Sequence, residues 1–232
     1  MRATVAGMGE TIEIQAPDGA AEAYLTGERG HPGVLLYIDA IGLRPQIEAM
    51  ADRIASWGYV VLAPNVFYRS GRAADLAPTA DLREPGARRA FFAGGVMTRV
   101  HALTPDLSGP DARAWLDTLT ASSAPGPIGV TGYCMGARLA VRTGGWFPGT
   151  VAAVGGFHGG DLVSACHVGA NLVPVEADED DARVFAQRAL SRGRSVSTVV
   201  GPQHADAAVL RAIAAFESVL DVDTVAPLSW RT

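Results

Sequence analysis

The amino-terminal part of the chain is patterned for extended structure. Residues 11–15 and 21–25 alternate weakly between apolar and polar side chains, and Pro17-Asp-Gly19 between them is a turn sequence, so this region predicts a β-hairpin. Residues 34–38 and 59–63 are instead continuous apolar runs, the pattern of strands that are buried on both faces. The pattern predicts a sheet that begins with a hairpin and continues with interior strands.

The rest of the chain alternates helical and strand patterns. A helix begins at Pro45, carries apolar side chains at three- and four-residue spacing as far as Trp57, and ends at Gly58. A capping-box-like Ser108-x-x-Asp111 begins a second helix, which carries Ala112, Trp115, Leu116 and Leu119 on one face. Further strands are predicted at 128–131, 151–154, 172–175 and 196–200, and further helices from 137, at 181–190 and from 206. This alternation predicts an α/β fold, with a mostly parallel central sheet and helices on both faces.

Composition limits the class of protein and its partners. No repeat or linker divides the 232 residues, so we expect a single domain spanning 1–232. The formal net charge of −5 argues against nucleic acid and anionic membranes as partners. There is no amino-terminal signal segment and no apolar run of membrane-spanning length, so we expect a cytoplasmic protein, in which Cys134 and Cys166 are free thiols. The sequence leaves monomer and homodimer open.

Residues 65–109 fit the strand–helix alternation least well. They are rich in Pro, Gly, Arg and Ala, show little periodicity, and include the aromatic residues Phe67, Tyr68, Phe91 and Phe92. Long irregular insertions in compact domains are commonly binding loops or lids. Because the aromatic side chains would be poorly solvated on an open loop, we predict that this segment covers a cleft; disorder is the alternative.

The motif most directly tied to chemistry is Gly132-Tyr-Cys-Met-Gly136, between a predicted strand and a predicted helix. Strand, Gly-x-Cys-x-Gly and helix is the cysteine form of the nucleophile elbow. Glycine on both sides avoids collisions with the neighbouring strand or helix at so sharp a turn. The positive amino-terminal end of the helix favours the thiolate of Cys134. The motif predicts a hydrolase that works through a thioester; an inert buried cysteine is the alternative.

A cysteine nucleophile needs a base, and an acid that orients the base; in this architecture the acid and then the histidine follow the nucleophile along the chain. His204 lies between the last predicted strand and the last helix, at the sheet edge where the base belongs. His158, in a glycine-rich stretch, is the rival, and we assign it with Tyr133 to the pocket wall. Several acids precede His204; we select Asp180, because Asp181 fits a helix N-cap.

Over almost its full length the chain resembles the dienelactone hydrolase family of α/β-hydrolases. The matching pieces are residues 34–45, 58–67, 132–136, 157–160 and 201–204, of which the cysteine elbow is the most specific. The resemblance implies an α/β-hydrolase fold and a small ester or lactone as substrate. It also implies a Cys-Asp-His triad at Cys134, Asp180 and His204, and an oxyanion hole made by the backbone N–H groups of Ala40 and Met135.

Two departures from the family pattern concern the resting state and the substrate. The family places a Glu at the position of Asp39, where it pairs with the resting cysteine. The Asp of this chain is one methylene shorter. The alternative is that Asp39 forms a turn before Gly42. Lactone-cleaving members carry an Arg shortly after the catalytic histidine. Here His204 is followed by an Asp at 206 and by no Arg before Arg211, which argues against a dienelactone as substrate.

These features together predict a carboxylic ester or lactone hydrolase that uses no metal and no cofactor. The histidines show no His-x-x-x-His spacing, and no Gly-x-Gly-x-x-Gly follows a strand. The competing hypothesis is a non-catalytic α/β-hydrolase-fold binding or interaction protein with a degenerate active site. The change at Asp39 and the surroundings of His204, which lack the expected Arg, motivate that alternative.

Overall fold

The computed structural model describes residues 9–157 of the chain, and these residues build a six-stranded sheet with helices packed against it. The strands are β1 (Glu10–Ala16), β2 (Gly19–Thr26), β3 (Gly33–Tyr37), β4 (Val60–Pro64), β5 (Ile128–Tyr133) and β6 (Val151–Phe157). In space they follow the order β1-β2-β4-β3-β5-β6.

The sheet is mixed and mostly parallel. β1 and β2 form the predicted hairpin, whose turn ends at Gly19 with φ of +133°, a conformation that glycine adopts without a steric penalty. β2 then pairs antiparallel with β4. β3 lies between β4 and β5 and pairs parallel with both, and β5 pairs parallel with β6. The apolar run that predicted an interior strand therefore corresponds to β3, and the predicted α/β class is confirmed.

The helices are α1 (Pro45–Ala55), α2 (Ala73–Leu76), α3 (Pro85–Phe91), α4 (Met97–Ala102), α5 (Pro105–Ser122) and α6 (Met135–Trp146). A π-type turn, Phe92–Val96, connects α3 to α4. No helix among the residues that the structure describes is both long and apolar enough to cross a membrane.

One face of the sheet carries α1. Thr26, Val61 and Val34 lie side by side in the register of β2, β4 and β3, so their side chains share a face. The Thr26 hydroxyl donates to Asp52 Oδ1 of α1 at 2.7 Å, and the Tyr24 hydroxyl, on the same face, reaches the same carboxylate at 2.9 Å. These two bonds fix α1 against the sheet.

The opposite face carries α5 and α6. A β-carbon placed on Gly33 would meet the Leu119 side chain of α5 at 3.1 Å. The hydroxyl of Tyr37, four residues further along β3, lies 2.7 Å from Thr143 Oγ1 of α6, and both side chains are buried. Burial raises the pKa of this phenol well above its usual range. Helices therefore cover both faces, as predicted.

Two helix boundaries differ from the sequence-based expectation. α1 ends at Ala55, and Trp57 lies beyond it with 56% of its surface exposed, its ring 5.7 Å below the Arg53 guanidinium. The helix predicted from Ser108-x-x-Asp111 begins earlier, at Pro105, because proline at the first helical position lacks only an N–H that has no helical acceptor there. The apolar face predicted for α5 is confirmed, since Ala112, Trp115, Leu116 and Leu119 are all buried.

The segment 65–109 contains more helix than its irregular pattern predicts. α2, α3, α4 and the start of α5 all fall within it. Helices of four, seven and six residues make too few turns to display a hydrophobic period, which is why the sequence reads as irregular. Its first residues belong to the core, because Val66 and Phe67 are buried directly after β4.

Candidate active site

Cys134 occupies the sharp turn between β5 and α6, as the motif predicts. Its backbone has φ of 56° and ψ of −122°, and it is the one non-glycine residue with positive φ in the described part of the chain. A conformation of this kind costs on the order of 1–3 kcal/mol and persists only where the surrounding structure enforces it. The thiol is free and exposed, so it stands clear of the backbone. A buried Cys134 is therefore excluded, and its role as nucleophile stays a prediction.

The two flanking glycines are required by close backbone contacts. A β-carbon on Gly132 would collide with the carbonyl oxygen of Gly136, in the first turn of α6. A β-carbon on Gly136 would collide with the carbonyl oxygen of Ile38 and lie 2.8 Å from that of Tyr37. The collisions predicted at both glycines are confirmed. The second also shows that the end of β3 packs directly on the start of α6.

The two predicted oxyanion donors lie at one edge of the sheet. Met135 is the first residue of α6, so its N–H has no acceptor within the helix. Ala40 follows β3, the parallel neighbour of β5, and the carboxyl ends of parallel neighbours meet at the same edge. Within the described residues, neither the Ala40 N–H nor the Met135 N–H donates to another group. Their role as oxyanion donors stays a prediction.

Asp39 has a partner that sequence reasoning missed. Arg44 donates to both of its carboxylate oxygens, from Nη1 to Oδ1 at 2.7 Å and from Nη2 to Oδ2 at 2.8 Å. The N–H of Ile41 donates to the same Oδ1 at 3.0 Å. Among the described residues no hydrogen bond joins Asp39 to Cys134, so the pairing predicted with the resting thiol is not observed. The turn-forming alternative agrees with the Ile41 contact, and with the Gly42 N–H, which donates to the Asp39 carbonyl at 3.2 Å.

A cleft of about 700 Å³ opens beside this turn. Its walls come from the β3–α1 connection and from the segment 65–109; they are formed by Ile41, Arg44, Gln46, Pro78, Ala80, Asp81, Leu82, Arg83 and Arg88. Two of the three arginines are paired with acids: Arg44 with Asp39, and Arg83 with Asp81. Hydrogen bonds from Arg83 lower the pKa of the Asp81 carboxyl to about 2, so that pair stays ionised at neutral pH.

Comparison with known proteins places this elbow in a family. The model of the dienelactone hydrolase family matches residues 21–190, which include most of β2, all of β3 to β6 and the cysteine elbow. The chain belongs to the dienelactone hydrolase family. This confirms the resemblance drawn from the sequence motifs.

Similar proteins agree with that assignment. "Protein usf" of Aquifex pyrophilus is 29% identical over 158 residues, covering 66% of this chain and 62% of the relative. A "Putative carboxymethylenebutenolidase" of Methylorubrum extorquens is 26% identical over 175 residues, covering 72% and 55%. The chain thus spans less than two thirds of the length of these curated relatives.

A solved structure confirms the fold. The crystal structure titled "Putative Dienelactone Hydrolase", from Klebsiella pneumoniae subsp. pneumoniae MGH 78578, matches with a TM-score of 0.63 over 92% of this chain and 96% of that one. At 15% identity, this similarity shows a shared α/β-hydrolase fold and no more.

Of the remaining predicted site residues, one lies within the described part of the chain and the others lie outside it. Tyr133 is half-buried beside the nucleophile, and burial raises the pKa of its phenol; its role in the pocket wall stays a prediction. His158, Asp180 and His204 lie outside the described residues, as does Cys166, so the acid and the base of the triad also stay predictions.

Proposed function

We propose that the chain is a dienelactone-hydrolase-like enzyme that cleaves a small ester or lactone through a thioester on Cys134. The observation that carries the proposal is the strained, exposed Cys134 between β5 and α6. A free cysteine in a positive-φ turn at the amino-terminal end of a helix serves no evident packing role. Its strain is explained if the thiol must face a substrate.

In this mechanism His204 takes the thiol proton as Cys134 Sγ attacks the carbonyl carbon of the ester. The carbonyl oxygen becomes an oxyanion and accepts hydrogen bonds from the N–H groups of Ala40 and Met135. Donors of this kind are worth about 10²–10³-fold each in rate. The carbon–oxygen bond to the alcohol then breaks, and the departing alkoxide takes the proton from His204. Asp180 keeps the imidazole oriented.

Deacylation repeats these roles with water as the nucleophile. His204 takes a proton from water as the water oxygen attacks the thioester carbonyl, and the same two N–H groups hold the second oxyanion. The carbon–sulfur bond breaks, the acid product leaves, and the proton on His204 returns to the thiolate. The enzyme is regenerated without any redox change.

The chemical class of the substrate follows from the family and from one departure. Family membership supports a small ester or lactone. Because no Arg follows His204 before Arg211, we propose that a dienelactone is not the preferred substrate. Small neutral esters and lactones are therefore the first compounds to assay.

Cysteine variants test the proposal directly. We expect Cys134→Ala to lose hydrolysis of small esters, because the covalent intermediate cannot form. Cys166→Ala, which replaces the other cysteine, is the matched control and should retain turnover. Undiminished hydrolysis in Cys134→Ala would contradict the proposal. A folded wild-type protein that hydrolyses no ester in the panel would favour a non-catalytic binding protein instead.

A further inference from the structure

The Arg44 side chain ties together the turn that carries the Ala40 amide. The Arg44 guanidinium donates to both carboxylate oxygens of Asp39. Its Nη1 also donates to the Gly42 carbonyl at 2.8 Å. Only 12% of the Arg44 side chain is exposed. One guanidinium group thus binds Asp39, which precedes Ala40, and Gly42, which follows it by two residues.

The backbone of the same turn is organised around Asp39. The Ile41 N–H donates to Asp39 Oδ1 and the Gly42 N–H donates to the Asp39 carbonyl. The two amides that follow Ala40 are therefore turned towards Asp39, whereas the Ala40 N–H has no acceptor among the described residues. The orientation of the Asp39–Ala40 peptide depends on these contacts.

This turn also packs closely against the helix that follows the nucleophile. The Ile38 carbonyl, which directly precedes Asp39, lies so close to Gly136 that a β-carbon there would collide with it. The end of β3 and the first turn of α6, which carries the Met135 N–H, therefore form one packed unit. A rotation of the Asp39–Ala40 peptide would move one oxyanion donor relative to the other.

From these contacts we infer that Arg44 is a positioning residue for the oxyanion hole: its bidentate ion pair with Asp39 holds the Ala40 N–H in its catalytic orientation. The inference rests on the proposed function. It differs from the expected role of Asp39 as a partner of the resting thiol, because both carboxylate oxygens are engaged by Arg44.

The contacts of Arg44 argue against a role in binding a substrate carboxylate. Nη1 already donates to Asp39 and Gly42, and Nη2 donates to Asp39 and, at 3.4 Å, to Gln46 Oε1. The four N–H bonds of these two nitrogens are thus directed at protein acceptors. Displacing Asp39 would leave its carboxylate without its cationic partner.

The test uses p-nitrophenyl acetate, an ester without charge, and the variants Arg44→Gln and Arg44→Lys. Loss of one oxyanion donor costs about 10²–10³-fold in kcat, so we expect a misplaced donor in Arg44→Gln to lower kcat at least tenfold with little change in KM. Lysine keeps the charge but cannot grip both carboxylate oxygens, so Arg44→Lys should lie between Arg44→Gln and the wild type. Arg53→Gln, at an exposed position in α1, should match the wild type.

Alkylation of Cys134 by iodoacetamide distinguishes a displaced Ala40 amide from a change in the reactivity of the thiol. Alkylation displaces iodide from a saturated carbon and forms no oxyanion, so its rate in Arg44→Gln should stay within about twofold of wild type if only the Ala40 amide has moved. A parallel fall of the alkylation rate and of kcat in Arg44→Gln would overturn the inference, because it would place the effect on the thiol. An unchanged kcat in Arg44→Gln would also overturn it. A loss of turnover confined to a negatively charged ester would do the same.

The outcomes also separate this inference from the proposed function. If wild-type turnover is lost in Cys134→Ala but kept in Arg44→Gln, only the positioning role of Arg44 fails. If the wild type shows no turnover, both fail together. Should Arg44→Gln not fold, Arg44→Lys carries the same comparison of kcat with alkylation rate.

Discussion

At the scale of single residues, the turn around Cys134 depends on close backbone contacts that leave no room for a side chain at the two flanking glycines. Cys134 takes a backbone conformation that other non-glycine residues in the described chain avoid, and Gly132 and Gly136 make room for it. Because the obstacles at both glycines are backbone carbonyls, a larger side chain could not be accommodated by a change of rotamer. The elbow should therefore tolerate no substitution at these two positions.

We predict that Gly136→Ala lowers both stability and activity. Its β-carbon would press on the carbonyls of Ile38 and Tyr37, and overpacking of this kind typically costs about 1–3 kcal/mol in the free energy of unfolding. Urea denaturation and ester hydrolysis measure the two effects. Gly86→Ala is the matched control, because Gly86 lies in α3 with no atom near its β-carbon position; it should be neutral or stabilising by up to about 1 kcal/mol.

The elbow could be predicted at this scale, whereas the Asp39–Arg44 pair could not. Gly-x-Cys-x-Gly is a local motif of five consecutive residues, and it predicts the sharp turn without knowledge of the rest of the fold. The pairing of Asp39 with Arg44 depends on how the chain turns between β3 and α1, and a five-residue spacing matches no helical or strand period.

At the scale of elements, a partly buried ionic network joins the segment 65–109 to α5. Arg69 donates to both oxygens of Asp111, at 2.6 and 2.9 Å, and the Tyr68 hydroxyl donates to Asp111 Oδ1 at 2.9 Å. Asp111 is 2% exposed. Arg69 also reaches Asp18 in the β1–β2 hairpin at 2.7 Å, so three separate parts of the chain meet here. The network fixes the start of the segment that lines the cleft.

We predict that Asp111→Ala lowers the free energy of unfolding by about 2 kcal/mol, because Arg69 and the Tyr68 hydroxyl lose their buried acceptor while Arg69 keeps its pairing with Asp18. Asp117→Ala provides a control on the same helix. Asp117 pairs with Arg113 at 3.6 Å with both side chains exposed, and its loss should change stability by less than about 1 kcal/mol. Equal effects in the two variants would contradict a structural role for the network.

The same network predicts a pH dependence at high pH. Burial, followed by the hydrogen bond to Asp111, raises the pKa of Tyr68 from 10.0 to about 12. Between these values the unfolded chain loses the phenol proton while the folded protein keeps it, so the contribution of Tyr68 to stability is complete below pH 10 and falls as pH rises towards 12.

The variant Tyr68→Phe isolates this contribution, since phenylalanine has no proton to lose. We expect wild type to be the more stable protein at neutral pH, by about 1 kcal/mol for the lost hydrogen bond, and the difference to shrink at about pH 11. Urea denaturation of both proteins at the two pH values gives the comparison. A difference that is constant or grows with pH would rule out the raised pKa.

The element boundaries were only partly predictable. Periodicity identified α1 and the buried face of α5, because each makes enough turns to repeat its apolar side chains. It missed α2, α3 and α4, which are too short to repeat a pattern. The sequence pattern predicts a helix-capping role for Asp111 and cannot reveal its partners Tyr68 and Arg69, which are 43 and 42 residues away along the chain.

At the scale of the whole molecule, the sheet brings distant residues to one edge. β3 and β5 are separated by more than 90 positions in sequence, yet their parallel pairing places the Ala40 turn beside Cys134. Double-sided apolar runs predicted the mostly parallel sheet, and this prediction is confirmed. The insertion of β4 between β2 and β3 was not predictable, because strand order depends on long-range pairing that local patterns do not encode.

A pre-steady-state burst with p-nitrophenyl acetate tests the central claim, a thioester on Cys134, most directly. The account predicts a burst of p-nitrophenol close to one equivalent of enzyme, with the acetyl group found on Cys134 by mass spectrometry. Cys134→Ala should abolish the burst, and His204→Ala should abolish it or slow it severely. A burst that survives in Cys134→Ala, or a wild-type enzyme that hydrolyses the ester without ever acetylating Cys134, would contradict the account.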